Sequence, residues 1–309
     1  VLIDTGVSYW VYKDLVEAGA AGIITYDGNV NFRDNDIDQK ELRGYVREGA
    51  GDRKLPAVNV NVKDAVKLVK NDARTARIVI EQEEYTGESR NVVAEIPGST
   101  DEWIVFSAHY DSTPLSHGAY DNMTGAIGLL GIMDELSESA PNRYGLRFLF
   151  LGSEERGLLG SKAYVRGHEG ELEKIVLNVN LDMLGSIMGK FIAVVTAEDK
   201  LVSYIEYLAR EIGWGLDARQ GVYSSDSTPF ADAGIPALSF ARIAGGNIAP
   251  IHNRYDTKAV VSSPQLKDDI DFLAYFGDRM ANSVICPVGR EIPENMKEEL
   301  DKYLNRKRR

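Results

Sequence analysis

Apolar runs are short in the first part of the chain and longer in the rest, and that change divides the sequence in two. Up to about residue 82 the runs are VLID, AGIITY, LPAVNV and ARIVIE, each the length of a single strand. Between them, Tyr9–Ala18 and the region around Asp64–Lys70 read as helices, and Asp27–Lys54 reads as a long polar loop. This alternation predicts a small mixed domain. From about Asn91 longer apolar strands alternate with amphipathic helices, the pattern of a βαβ sheet covered by helices on both faces. Strands are expected at Trp103–Ala108, Leu146–Leu151, Ile175–Leu181, Phe191–Val195 and Pro236–Phe240, and helices near Met123–Leu136, Ser161–Arg166, Lys200–Ile212, Gln265–Val284 and Glu294–Asn305. The polar segment Glu83–Arg90 is the expected boundary, giving domains over 1–85 and 86–309.

Composition narrows the classes of function. A chain of 309 residues, 44% hydrophobic, is long enough for one large α/β domain beside a smaller one. No run approaches the roughly 18 apolar residues that a membrane helix needs. A net charge of −12 argues against a nucleic-acid partner, and the only strongly basic run is the terminal Arg306–Arg309. The single cysteine, Cys286, excludes an internal disulfide and a cysteine-based zinc knuckle, so metal chemistry here falls to His, Asp and Glu. The chain opens on Val1-Leu2-Ile3-Asp4, in strand-like register and without Met or a leader pattern. The expectation is a truncated chain whose targeting segment lies upstream.

Four apolar strands end within a few residues of a potential metal ligand. WIVFSA runs into His109 and Asp111, RFLFLGS into Glu154 and Glu155, IVLNVNL into Asp182, and PALSFAR is followed by His252. In an open α/β sheet the ligand crevice lies outside the carboxyl ends of the strands, where distant residues converge. Asp121, in GAYDNMTGA, stands at a loop-to-helix junction that projects into the same crevice. Taken singly, His109 fits a structural histidine, Asp121 and Asp182 fit caps, and Glu154-Glu155 fits a solvated helix start. Together, several carboxylates at one strand edge are prohibitively costly unless cations neutralise them. His and carboxylate donors select zinc first, with manganese or cobalt as substitutes. An Asp bridging two metals roughly 3.5–4 Å apart suits amide hydrolysis. The base in such a reaction is not itself a ligand, and two adjacent glutamates can supply one ligand and one base.

FSAHYDS, GAYDNMTGAI, FLGSEERGLLGSKAYV, NLDMLG and PIHNRYDT, in this order and spacing, resemble the co-catalytic di-zinc aminopeptidases of the bacterial secreted and vacuolar type. Glutamate carboxypeptidase II and the glutaminyl cyclases are more distant relatives. The match covers about residues 90 to 285. The resemblance implies a three-layer α/β/α zinc-exopeptidase domain, phosphorylase/hydrolase-like, with a central mixed sheet. It also implies an aminopeptidase that attacks the N-terminal peptide bond with a water or hydroxide held between two zinc ions. By this resemblance His109, Asp121 and His252 hold one zinc, and Asp121, Glu155 and Asp182 the other, with Asp121 bridging. Glu154 is then the general base, and Asp111 orients His109 through its other ring nitrogen. A secreted location is what the family favours. VLIDTG, YWVYKDLVEAGAAGIITYDG and LPAVNVNVKDAVKLV resemble the protease-associated domain, which carries no catalytic group. Covering the cleft or restricting substrate size is one role for it; simple packing is another.

Two positions depart from the family. Some relatives place Tyr before the last histidine to stabilise the oxyanion, and here Ile251 stands there; Tyr223 is the substitute candidate. Ser227 occupies a place where relatives often have His. His117 reads as a solvated loop residue, His168 as a surface or helix-end residue, and Trp214 and Tyr204 as core. The alternatives are a carboxypeptidase, with Arg242, Arg254 or Arg219 for a substrate carboxylate, and a glutaminyl cyclase. A third is a non-catalytic receptor-like homologue that binds without turnover.

Overall fold

The structure, a computed structural model, describes every residue except 5, 34–41, 50, 52, 84, 139–140, 246–247 and 309. Parts of the predicted loop Asp27–Lys54, of the boundary segment and of the basic terminus therefore lie outside the described residues. The chain divides into two compact units, Val1–Glu88 and Ser89–Lys307.

In the first unit α1 (Tyr9–Glu17) precedes β1 (Ile23–Asp27), and α2 (Gly44–Glu48) precedes β2 (Ala57–Asn61) and α3 (Val62–Lys70). Ser8 caps α1 and Asn61 caps α3, each accepting a main-chain N–H of the first turn. β1 and β2 pair in parallel, and Tyr12, Val16, Ile23, Val46 and Leu55 form the core. Three expectations fail here, the first because α2 lies inside the stretch expected as a loop. VLID makes only an isolated bridge from Leu2 to Ile24, and ARIVIE forms no strand. Val79 and Ile80 are exposed, so this apolar run has no sheet to join.

The second unit follows the order β3 (Val92–Ile96), β4 (Trp103–His109), α4 (Thr124–Glu138), β5 (Gly145–Leu151), α5 (Leu159–Gly167) and β6 (Ile175–Leu181). Then come β7 (Lys190–Thr196), α6 (Asp199–Glu211), β8 (Asp217–Gln220), α7 (Ser227–Asp232), β9 (Ala237–Ile243), α8 (Ser263–Ala281) and α9 (Glu294–Tyr303). The seven strands lie in the order β3-β5-β4-β6-β9-β7-β8. β5, β4, β6 and β9 are mutually parallel, while β3 and β7 join them antiparallel and β8 runs parallel to β7. The sheet is therefore mixed at its flanks and parallel at its centre.

Alternation along the strands builds two apolar layers. Ile104, Phe106 and Ala108 of β4 face Leu129, Ile132, Phe272 and Phe276 of α4 and α8, and Leu201 and Ile205 of α6 complete that layer. Val105, Leu149 and Ala237 face Tyr164 of α5, Phe230 of α7 and Met296 and Leu300 of α9. The second face also buries a polar ladder. Asn178 donates to Ser107, Ser107 to Asn180, and Asn180 to Ser225 and Ser239, all fully buried. The run IVLNVNL thus carries polar residues on one face only, which an apolar reading of the strand overlooks. β3, β8 and α7 were not anticipated from the apolar pattern, being short or polar. No helix among the described residues is long and apolar enough to cross a membrane.

Candidate metal centre

The four parallel strands at the centre of the sheet deliver their following residues to one edge. His109 is the last residue of β4, Asp182 directly follows β6, Glu154 and Glu155 follow β5, and His252 lies on the loop after β9. Asp121 sits in a single turn, Ala119–Met123, that leads into α4, and the Asp121–Asn122 peptide is cis. Ser153, Met183 and His252 all take left-handed backbone angles, with φ between 60° and 66°. Such angles are strained for side-chain-bearing residues, and these three fall on or beside candidate ligands.

Among the described residues, His, Asp and Glu side chains converge in two metal-capable groups that share Asp121. In the first, His109 Nε2 lies 3.3 Å from Asp121 Oδ1 and 3.6 Å from Asp182 Oδ1. In the second, His252 Nε2 lies 3.0 Å from Asp121 Oδ2 and 3.2 Å from Glu155 Oε2. The two oxygens of one carboxylate thus face two different imidazoles. This grouping differs from the division that the resemblance implies, in which the two histidines share a metal. The cause is strand order: β4 and β6 are neighbours, so Asp182 stands beside His109.

Asp111 stands at the other ring nitrogen of His109, and its main chain makes the shorter contact. Nδ1 of His109 meets the main-chain carbonyl of Asp111 at 3.1 Å, whereas the nearest carboxylate oxygen is 3.7 Å away. The carboxylate instead accepts the main-chain N–H groups of Glu154 at 2.9 Å and Glu155 at 3.2 Å. Its backbone thus contacts the imidazole, and its side chain contacts the main chain of the two glutamates.

The electrostatics are those of an anionic cage. Burial works against a charge on His109, yet the nearby carboxylates of Asp111, Asp121 and Asp182 raise its pKa well above the ordinary value. Burial opposes His252 in the same way, and Asp121 and Glu155 push it up to about 10. Asp121 is held low, because the two imidazoles outweigh its burial. A bound cation would balance the carboxylates and displace protons from the imidazoles. Glu154 is buried and its carboxyl is pushed well up, first by burial, with His109 opposing and the charges of Asp226, Asp182 and Glu155 adding. A divalent cation beside it would pull that value back down.

Two imidazoles and three carboxylates without sulfur fit zinc. Asp182 Oδ1 supports the fit: it is buried and has no hydrogen-bond partner among the described residues. A cation would satisfy such an orphan.

Tyr223 lies beside the cage. Burial first, then the charges of Asp182, Tyr120, Asp121 and Glu154, hold its hydroxyl well above the usual range, and its ring packs against Ile192, Val194 and Ala241. Ile251 packs in an apolar cluster with Tyr120, Ala249 and Val260, and the Ser227 hydroxyl pairs with Ser239 at 2.8 Å. His117 is exposed, and His168 stacks on Tyr164 at the end of α5. Trp214 stacks on Phe272, and Tyr204 packs against the same core.

Of the arginines considered for a substrate carboxylate, Arg242 is consumed by a buried pair. Its Nε donates to both oxygens of Asp269 at 3.0 and 2.9 Å, and its Nη1 donates to the Gly189 carbonyl. Arg219 is an exposed surface residue near Asp217. Arg254 is exposed on the His252 loop.

Three residues near the cage were not singled out by sequence. Asp226 is fully buried and accepts from the Ser161 hydroxyl. Asn122 is buried next to Asp121, donates to the Leu181 carbonyl at 2.9 Å and accepts from Gly125 and Met183 at 3.0 Å each. A Cβ on Gly125 would collide with the Asn122 amide, which is why that turn needs glycine. Asp256, inside PIHNRYDT, points back at the Asp121 turn. Polar residues next to ligands in the same motifs were the available signal.

Over 197 residues the chain is 33% identical to the protein named Aminopeptidase YwaD from Bacillus subtilis, spanning 60% of this chain and 42% of that one. Over 190 residues it is 30% identical to Probable lipoprotein aminopeptidase LpqL of Mycobacterium tuberculosis, spanning 60% of this chain and 36% of that one. The chain thus spans less than half the length of these curated relatives. BSAP, a zinc aminopeptidase from Bacillus subtilis, has the same fold, with a TM-score of 0.71 at 22% identity over 96% of this chain and 72% of that one. Residues 91–276 match the profile of Peptidase family M28, and both metal-capable groups fall inside that span; the chain belongs to Peptidase family M28.

Proposed function

We propose that this chain is a zinc-dependent aminopeptidase that removes residues from the free N-terminus of peptides, using two zinc ions and a glutamate base. The observation that carries this reading is the placement of Asp121 Oδ1 toward His109 and Oδ2 toward His252, one carboxylate shared by two ligand groups. His109, Asp121 and Asp182 would hold one ion, and Asp121, Glu155 and His252 the other. When bound, the ions polarise the scissile carbonyl and make water a better nucleophile at neutral pH.

The chain's own residues supply the rest. Glu154, buried beside the cage but in neither ligand group, takes the proton from the attacking water at its carboxylate and delivers it to the leaving amine. Asp111 fixes Glu154 and Glu155 by their main-chain N–H groups. Tyr223, held protonated by burial and by the surrounding carboxylates, is the candidate donor to the oxyanion, in place of the Tyr that Ile251 replaces. The anionic cage also favours the protonated N-terminus of a peptide. The unit Val1–Glu88 we read as a protease-associated domain with no part in the chemistry, since both metal-capable groups of described residues lie in the other unit.

The test is hydrolysis of aminoacyl-arylamides by zinc-loaded protein, beside the same compounds blocked at the amine. Release from the free-amine substrates alone is the expected result. Equal cleavage of blocked substrates, or none of either, would overturn the reading.

A further inference from the structure

The loop bearing His252 poses a problem of placement. The other ligands follow directly on strands of the sheet or sit at the root of α4, whereas His252 stands on the long connection between β9 and α8, in a left-handed backbone conformation and with its side chain 43% exposed. Within that loop the turn is knit to itself. Asn253 accepts from the N–H of Tyr255 at 2.9 Å and donates to the Ile251 carbonyl at 2.8 Å, and its carbonyl accepts from Asp256 at 3.2 Å. These bonds shape the turn but do not fix it to the cage.

Asp256 does. Its side chain is fully buried, and its two oxygens accept the N–H groups of Tyr120 at 2.7 Å and Asp121 at 3.1 Å. Two converging N–H donors demand an acceptor at both oxygens, which a carboxylate provides and an amide of the same shape does not. On the opposite side, Asn122 ties the same turn to Leu181 and Met183, the residues that flank Asp182. Asp121 is therefore clamped from two sides by two different side chains. Asn122 holds it to the strand carrying Asp182, and Asp256 holds it to the loop carrying His252.

We infer that Asp256 is a positioning residue that sets the half of the cage formed by Asp121, Glu155 and His252, and leaves the half formed by His109, Asp121 and Asp182 to Asn122. This rests on the two-zinc reading above. Neither Asp256 nor Asn122 belongs to a ligand group, so each acts only through the backbone of the Asp121 turn.

The test compares the parent chain with Asp256→Asn, and with Asp256→Ala as a second variant that removes both acceptors. Each is dialysed against buffered free zinc, bound metal is counted by mass spectrometry, and zinc is located by anomalous diffraction. The parent is expected to bind two ions. Asp256→Asn is expected to weaken the site at His252 by roughly 10- to 100-fold, the usual cost of losing a group that orients a ligand, and to keep the ion at His109 and Asp182. Asp256→Ala is expected to weaken the same site and likewise keep the ion at His109 and Asp182. Parent-like binding of both ions by both variants, or equal weakening of both sites, would overturn the inference. A parent chain that binds fewer than two zinc ions would instead defeat the two-zinc reading itself, and this inference with it.

Discussion

The carboxylate of Asp111 accepts the main-chain N–H of Glu154 at 2.9 Å and so joins the end of β4 to the turn that carries the proposed base. Its second oxygen does the same for Glu155 at 3.2 Å. Replacing it by Asn turns one acceptor into a donor that faces an N–H group. Asp111→Asn is expected to lose about 10- to 100-fold in zinc affinity or in kcat/KM, the range for groups that orient ligands, while its thermal midpoint in the absence of metal changes little. Zinc titration and steady-state kinetics on aminoacyl-arylamides check it; parent-like values in both would remove the role.

Glu154 stands outside both ligand groups. Glu154→Gln keeps the shape of the side chain and removes its basicity. Zinc content is expected to match the parent, while kcat falls roughly 10²- to 10⁴-fold, the usual size of a general-base contribution. Metal analysis beside kinetics separates this from loss of a ligand, which would lower both.

Asp226 predicts a pH dependence. Burial drives its carboxyl up to about 6, against the opposing charge of His109 and the Ser161 hydrogen bond, with Asp182 and Asp111 adding to the rise. The unfolded chain releases this proton near pH 4. Between about pH 4 and about pH 6 the folded state therefore holds more protons than the unfolded state, and the contribution of Asp226 to stability falls as pH rises through that window. Asp226→Asn still accepts from Ser161 and removes the titration. Its stability relative to the parent, both stripped of metal, is expected to improve by about 2–3 kcal/mol between pH 4 and pH 7. Denaturant unfolding at both pH values measures it, and a pH-independent difference would contradict it.

Arg242 and Asp269 test the packing behind the site. The pair is buried, and Asp269 also accepts the N–H of Gly185 at 2.9 Å, in the loop that follows Asp182. Asp269→Ala strands the Arg242 guanidinium and is expected to destabilise the fold by about 3–5 kcal/mol. Joint replacement by Arg242→Met and Asp269→Leu removes both charges and is expected to recover most of that loss. Urea unfolding of the single and double variants checks both values.

The centre of this fold was legible in the sequence because it is doubly buried. β6 occupies Ile175–Leu181 as its apolar run predicts, and the four strands that end near ligands are the four parallel strands of the sheet. The edges were less legible. β3 and β8 are short and carry Glu95 and Arg219, and ARIVIE has the composition of a strand without a partner to pair with. A strand depends on its neighbour, and a local apolar pattern does not contain that neighbour. The same limit governed the site. The residues that converge could be named from their positions after strands, but their grouping depends on which strands are adjacent. Asp256 and Asn122 stand in the motifs beside candidate ligands, but the contacts that tie them to the cage run to main-chain groups more than 50 positions away, which the local sequence does not contain.

The central claim is that two imidazoles and three carboxylates form one cage for two cations. Anomalous diffraction at the zinc edge from crystals of the zinc-loaded chain tests it most directly. The account predicts two peaks roughly 3.5–4 Å apart, one bounded by His109 and Asp182 and the other by Glu155 and His252, with Asp121 between them. A single peak, or two peaks that do not share Asp121, would contradict it.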